Sequence, residues 1–259
     1  MTCLLRIENL HLEQGGKTLL EALNLCIRPG ECWGLLGRNG AGKTTLLHTL
    51  AGVRQPSQGA LYWHDQALPQ LPARTRAQHI GLLTQDASEG FEESVLEAAL
   101  VGRHPHIARF SQASTEDEHV VRQALADCGL EGFETRRLYS LSGGERRRLA
   151  LATLLAQNPR LLLLDEPLNH LDLAWQWRIL QQLRALTDAG RGLMLSLHDP
   201  NMALHFCTHV LLLDGSATWV AGKTKAVLTS NNLYAAYGFR LRLVHDNGSA
   251  WFVPQPSPL

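Results

Sequence analysis

The sequence predicts an α/β fold, and three observations carry that prediction. Short apolar runs of strand length recur along the chain and lead into turns and helices, as alternating α/β folds require. A glycine-rich segment, Gly37-Arg-Asn-Gly-Ala-Gly-Lys-Thr44, lies between an apolar run and a helical one. From about Asp86 to Pro159 the pattern turns to helical spacing with polar insertions, and strand signals then return.

Taken in order, Leu4–Leu10 alternates apolar and polar residues, the pattern of a half-exposed antiparallel strand. Cys32–Leu36 reads as a buried strand entering the glycine-rich loop, and Lys43–Leu50 as the helix that leaves it. Gly59–His64 and Ile80–Leu83 are further strands. Val95–Val101 and Glu118–Cys128 carry apolar residues at helical spacing, and an Arg-rich helix follows Leu141-Ser-Gly-Gly-Glu145. Leu161–Leu164, Leu193–Leu197 and Val210–Leu213 restore the strand pattern. The tail from Leu233 holds a hairpin, Leu241–His245 and Ala250–Val253, around Asn247-Gly248, and ends in a Pro-rich coil.

Composition narrows the classes. The chain has 259 residues, with Lys+Arg and Asp+Glu both 24, so no net charge draws it to nucleic acid. The five cysteines, Cys3, Cys26, Cys32, Cys128 and Cys207, lack CxxC spacing, and their odd number suits reduced, buried thiols. No stretch approaches the ~20 apolar residues of a membrane span, and the opening residues lack a basic segment followed by a long apolar one. Service to a membrane would therefore run through docking to other subunits.

GRNGAGKT fits the phosphate-loop pattern in the right setting, strand before and helix after. Glycines 37, 40 and 42 let backbone N–H groups turn toward phosphate oxygens at a helix N-terminus. Lys43 supplies a point charge for the β and γ phosphates, and Thr44 a hydroxyl for Mg²⁺. Leu161–Leu164 delivers Asp165 and Glu166 to the C-terminal end of a strand, where ligands of open sheets sit. Two carboxylates there suit hydrolysis, one for Mg²⁺ and one to activate water. Ser142, Gly143 and Gly144, with Glu145 in the first turn, form a second anion-binding helix start, more than one phosphate loop needs. Taken alone, a helix cap would explain Ser142, and Arg146–Arg148 reads as a solvated helix face.

The order of these segments, GRNGAGKT, LSGGE with its Arg-rich helix, then LLLLDEP, resembles the nucleotide-binding subunit of ATP-binding-cassette (ABC) transporters. The resemblance covers roughly the first nine-tenths of the chain. It implies a P-loop NTPase (RecA-like) core with a mixed sheet, an antiparallel β edge subdomain and an inserted α-helical subdomain. The core would comprise residues 1–85 and 159–232, the helical insert 86–158 and a C-terminal extension 233–259.

The resemblance also implies roles. Gly37, Arg38, Asn39, Gly40, Ala41, Gly42, Lys43, Thr44 and Thr45 would cradle ATP. Asp165, Thr44 and Gln85 would hold Mg²⁺; Glu166 would be the base, with His198 as the switch histidine. Gln85 would also link the site to the helical insert. Ser142, Gly143, Gly144 and Glu145 would close on the γ phosphate of a second copy, and Asp172 would lie at that homodimer interface. Partners would be two membrane permease subunits and, through them, a substrate-binding protein, at the cytoplasmic face of the membrane.

Three positions depart from the family pattern. Gln14 stands where an aromatic residue usually stacks on adenine, Leu168 where Thr is usual, and Pro200 where Leu is common. Within the family, Val95–His106 (with GRHPH) and Ser196–Ala203 (SLHDPNMA) resemble importers of ferric siderophores, haem and cobalamin, with overall resemblance favouring cobalamin. His104 and His106 read as structural or interfacial rather than metal-binding. The reading from another class is a soluble, non-transport ABC ATPase.

Overall fold

The computed structural model describes residues 3–84, 92–246 and 248–255. Along the chain run β1 (Leu5–Gln14), β2 (Lys17–Ile27), β3 (Cys32–Gly37), α1 (Lys43–Leu50), β4 (Gln58–Trp63) and β5 (Gln66–Ala67). Then come α2 (Ala73–His79), β6 (Ile80–Leu83), α3 (Val95–Leu100), α4 (Thr115–Asp127), α5 (Gly143–Gln157) and β7 (Leu161–Leu164). The last third contains α6 (Leu173–Asp188), β8 (Gly192–Ser196), α7 (Pro200–Phe206), β9 (His209–Leu213), β10 (Trp219–Lys223) and α8 (Thr224–Val227). It closes with α9 (Ser230–Tyr237), β11 (Leu241–Asp246) and β12 (Ser249–Pro254).

These elements gather into two compact units, residues 1–70 with 184–259, and residues 71–183. In the first unit β2, β1, β4 and β5 form an antiparallel sheet, while β3 pairs in parallel with both β8 and β9 and β10 adds antiparallel to β9. β3 and β8 are buried along their whole length, as strands covered on both faces must be. β1 instead alternates buried and exposed positions, the signature of a sheet with one wet face. β2 escapes a simple alternation because Ala22 takes a left-handed φ of 51° and the register with β1 shifts.

Cys3 and Cys26 are joined by a disulfide across the paired start of β1 and end of β2, their Cα atoms 5.8 Å apart. This corrects the expectation of five reduced thiols: antiparallel pairing brings together two cysteines 23 residues apart, which spacing alone does not reveal. Cys32, Cys128 and Cys207 are free and buried. The expected tail hairpin is present as β11–β12, preceded by α9, and it is fastened to α7. Asn201 donates to Phe252 O (3.0 Å) and accepts from Phe252 N (2.6 Å), and His205 lies against Trp251.

In the second unit β6 and β7 pair in parallel, and α3, α4 and α5 supply the helical part. Each of these three helices begins with a reciprocal serine cap, Ser94 with Glu97, Ser114 with Asp117 and Ser142 with Glu145. The GRHPH segment between α3 and α4 is built onto the end of α5. A Cβ on Gly102 would stand 2.2 Å from Thr153 O, so only glycine fits there. Arg103 donates to Ala156 O (2.7 Å) and pairs with Asp117 (2.9 Å), while His106 Nε2 lies 2.8 Å from Gln157 O. No described helix is long and apolar enough to cross a membrane.

Candidate functional site

In the first unit the phosphate loop is a continuation of β3. Gly37, with φ of 148°, ends the strand where a Cβ would meet Leu213 O at 2.7 Å, so the backbone turns at a position closed to any side chain. Ala41 N–H then donates to Arg38 O (3.1 Å), and Gly42, left-handed at φ 97°, starts α1 without a side-chain cap. Arg38, Asn39 and Gly40 are exposed just ahead of α1, whose first N–H groups have no acceptor within the helix. Lys43 is buried, and its ammonium donates to Gly37 O (2.8 Å) and Arg38 O (3.2 Å), which places the charge inside the loop. Thr44 is exposed; Thr45 is buried and donates to Gln14 Oε1 (2.8 Å). Gln14 is therefore a tie between the end of β1 and α1.

His198 follows β8 after Leu197 and is exposed, and Asp199 caps α7 by accepting from Asn201 N–H (2.8 Å). The Tyr237 hydroxyl, at the end of α9, is buried near the Gly37 backbone and the Asp199 carboxylate. Burial pushes its pKa up to about 12, with the Gly37 backbone opposing that shift and the Asp199 charge adding to it.

In the second unit Asp165 and Glu166 leave the all-leucine strand β7. Asp165 is fully buried and Glu166 half-buried. Glu166 adopts a left-handed φ of 48°, an uncommon conformation for a residue with a side chain. Asn169 closes the turn: its N–H donates to Glu166 O (3.2 Å), and its side-chain amide donates to the Glu166 carboxylate. Asp172 is exposed and caps α6 by accepting from Trp175 N–H (2.8 Å). Gln85 lies outside the described residues.

At the start of α5, Ser142 Oγ accepts from Glu145 N–H (3.3 Å) while Glu145 accepts from Ser142 N–H (2.7 Å). That backbone donor is the main reason the Glu145 carboxyl is held below its ordinary range, and Arg136 at 3.3 Å adds to it. Ser142 and Gly143 remain exposed, and a Cβ on Gly144 would stand 3.1 Å from His170 O.

The basic run after the glycines is not a solvated face. Arg147 is 5% exposed, and its guanidinium donates to Thr84 O (2.6 Å), Glu166 O (2.8 Å), Pro167 O (3.4 Å) and Asp165 O. Burial lowers its pKa, and the charges of Asp165 and Glu166 oppose that shift. Arg148 donates to Cys128 O (3.1 Å) and Gly129 O (2.7 Å) and covers the Trp175 ring. Sequence reasoning missed Arg147 and Asn169 because their partners come from other segments or from a turn whose shape pattern does not reveal.

Among proteins of known family, the family model described as ABC transporter matches residues 20–169. A hemin import ATP-binding protein of Pseudomonas aeruginosa is 39% identical over 243 residues, covering 92% of this chain and 94% of that protein. A cobalamin import ATP-binding protein of Halobacterium salinarum is 34% identical over 255 residues, 98% of this chain and 64% of the relative. Among solved structures, an inward-facing ABC transporter assigned to the metal-chelate type superposes with a TM-score of 0.85 at 32% identity, covering 99% of this chain and 98% of that one. A dimeric bacterial ABC transporter cassette reaches 0.75 at 25% identity over 85% of this chain and 98% of that one.

Proposed function

Because the chain belongs to the ABC transporter family, we propose that it binds and hydrolyses ATP to drive import of a metal chelate. The observation that carries this reading is the pair Asp165 and Glu166 on the end of a buried apolar strand, in a chain whose lysine-bearing phosphate loop opens a helix. Gly37 through Thr45 take the triphosphate through backbone N–H groups, and Lys43 adds its charge at the β and γ phosphates. Thr44 hydroxyl and Asp165 carboxylate are hard oxygen donors of the kind Mg²⁺ selects, so they fit this ion; Gln85 completes the proposed set. The ion would neutralise charge on the phosphates. Glu166 takes a proton from the attacking water, and His198 donates to the γ phosphate.

A second copy supplies Ser142, Gly143 and Gly144 to the same nucleotide, with Glu145 fixing the cap and Asp172 at the interface. ATP then joins two copies, and hydrolysis parts them. Residues 86–158 act as the insert that passes this motion to two permease subunits at the cytoplasmic face of the membrane, with a binding protein delivering the substrate to them. Haem is the first chelate to test, since the hemin relative is 39% identical and the cobalamin relative 34%. Cobalamin, favoured by the sequence reading, comes second and a ferric siderophore third.

The test has two parts. Glu166→Gln should abolish turnover and accumulate an ATP-bound dimer in gel filtration; a monomer in ATP and Mg²⁺, or retained turnover, would overturn the ATPase reading. In proteoliposomes with its permease, ATP hydrolysis should rise when binding protein loaded with haem is added. A response to none of the three chelates would leave the ATPase and remove the import reading.

A further inference from the structure

Glu166 is held both at its backbone carbonyl and at its carboxylate. Its backbone carbonyl accepts from Arg147 (2.8 Å) and from Asn169 N–H (3.2 Å), which keeps the left-handed turn after β7 in one shape. The carboxylate accepts from the Asn169 side-chain amide. An amide suits this place because it orients a carboxylate through a directed N–H while adding no charge that would neutralise it. The left-handed φ of Glu166 directs the side chain differently from an extended strand end, so the rotamer depends on what the turn offers it. Asn169, three residues on and half-buried, is placed by that same turn.

We propose that Asn169 is a positioning residue, fixing the Glu166 carboxylate in the orientation from which it directs the attacking water. The inference rests on the ATPase reading and deepens it. Loss of this donor removes one directed bond on the carboxylate, so turnover falls while nucleotide affinity stays, because the roles proposed for triphosphate binding lie on other residues.

The experiment compares wild type, Asn169→Ala and Asn169→Asp for kcat and KM of ATP hydrolysis, with thermal unfolding of each. Aspartate keeps the shape of asparagine and the backbone N–H of the turn but replaces the donor with a second negative charge, so its kcat is read on the high-pH plateau, where a raised Glu166 pKa no longer limits turnover. Both variants should lose about tenfold or more in kcat with KM within about twofold, as expected when a reacting group is misplaced. Asn169→Asp with wild-type kcat, or a KM rising in step with the loss of kcat, would overturn the proposal. If Asn169→Ala does not fold, Asn169→Asp decides alone. Glu166→Gln measured alongside keeps the two claims apart. If wild type shows no turnover, or Glu166→Gln matches it, the ATPase reading fails. If those controls behave and Asn169→Asp stays fast, only the role of Asn169 fails.

Discussion

Arg147 is a cation buried among carbonyls, with the charges of Asp165 and Glu166 close enough to act on it. Its guanidinium joins α5, five residues after the Ser142 cap, to the backbone of Thr84, Asp165, Glu166 and Pro167. Five N–H donors in a fixed planar fork can serve these four carbonyls at once, more than the three donors of a lysine ammonium can. Arg147→Ala leaves buried carbonyls unsatisfied, and a loss of about 3 kcal/mol in unfolding free energy is expected. Arg147→Lys should recover only part of it. Urea unfolding checks this, and a loss under about 1 kcal/mol would return Arg147 to the role of an ordinary surface cation. Gln14 carries a second prediction at this scale. Base stacking on an aromatic side chain contributes ~1–3 kcal/mol in nucleic-acid systems, so Gln14→Tyr should lower KM for ATP by about fivefold or more with kcat unchanged. It also removes the bond from Thr45, at a cost of about 1 kcal/mol in stability. An unchanged KM would show that adenine lies elsewhere.

At the scale of elements, the GRHPH segment has a structural account. Gly102 permits close approach to α5, Arg103 ties that approach to α4, and His106 meets the last turn of α5. Asp117 is central to this joint, capping α4 and pairing with Arg103. Bonds from the Ser114 hydroxyl and N–H, and then Arg103, bring its pKa to about 2. That lies below the ~3.9 of an unfolded chain, so its contribution is fully present above about pH 4 and is lost as pH falls toward 2. Asp117→Asn should therefore be less stable than wild type at pH 7, and the gap should close between pH 4 and 2. A gap independent of pH over that window would remove the ionised carboxylate from the account. The strands around this joint were legible because burial on both faces leaves an apolar run, as in β7. The joint itself was not, since glycine, arginine and aspartate carry no periodicity, and their contacts link residues 14 to 53 positions apart in the chain.

For the whole molecule, legibility divides along the same line. Phosphate-loop glycines, the serine cap of α5 and the carboxylates after β7 are local features, so spacing in the sequence reveals them. The Cys3–Cys26 bond, the burial of Arg147 and the seating of the tail hairpin on α7 depend on what the folded chain brings together, and no local pattern encodes them. One consequence of the proposed head-to-tail pairing is testable at this scale, because each nucleotide would need the phosphate loop of one copy and the Ser142 end of another. A chain carrying Lys43→Ala keeps its Ser142 end, and a chain carrying Ser142→Arg keeps its phosphate loop. Each alone should be inactive, since both of its paired sites lack a part. Mixed in equal amounts, they form heterodimers holding one complete site. Random pairing makes half of all dimers heterodimers, so about one quarter of wild-type site content should return if each site works alone. If sites fire only in pairs, ATP hydrolysis stays absent while ATP-dependent dimers still form with the trap Glu166→Gln added to both chains. Neither activity nor dimers would mean that the second helix start serves its own chain, and the symmetric sandwich would have to be abandoned.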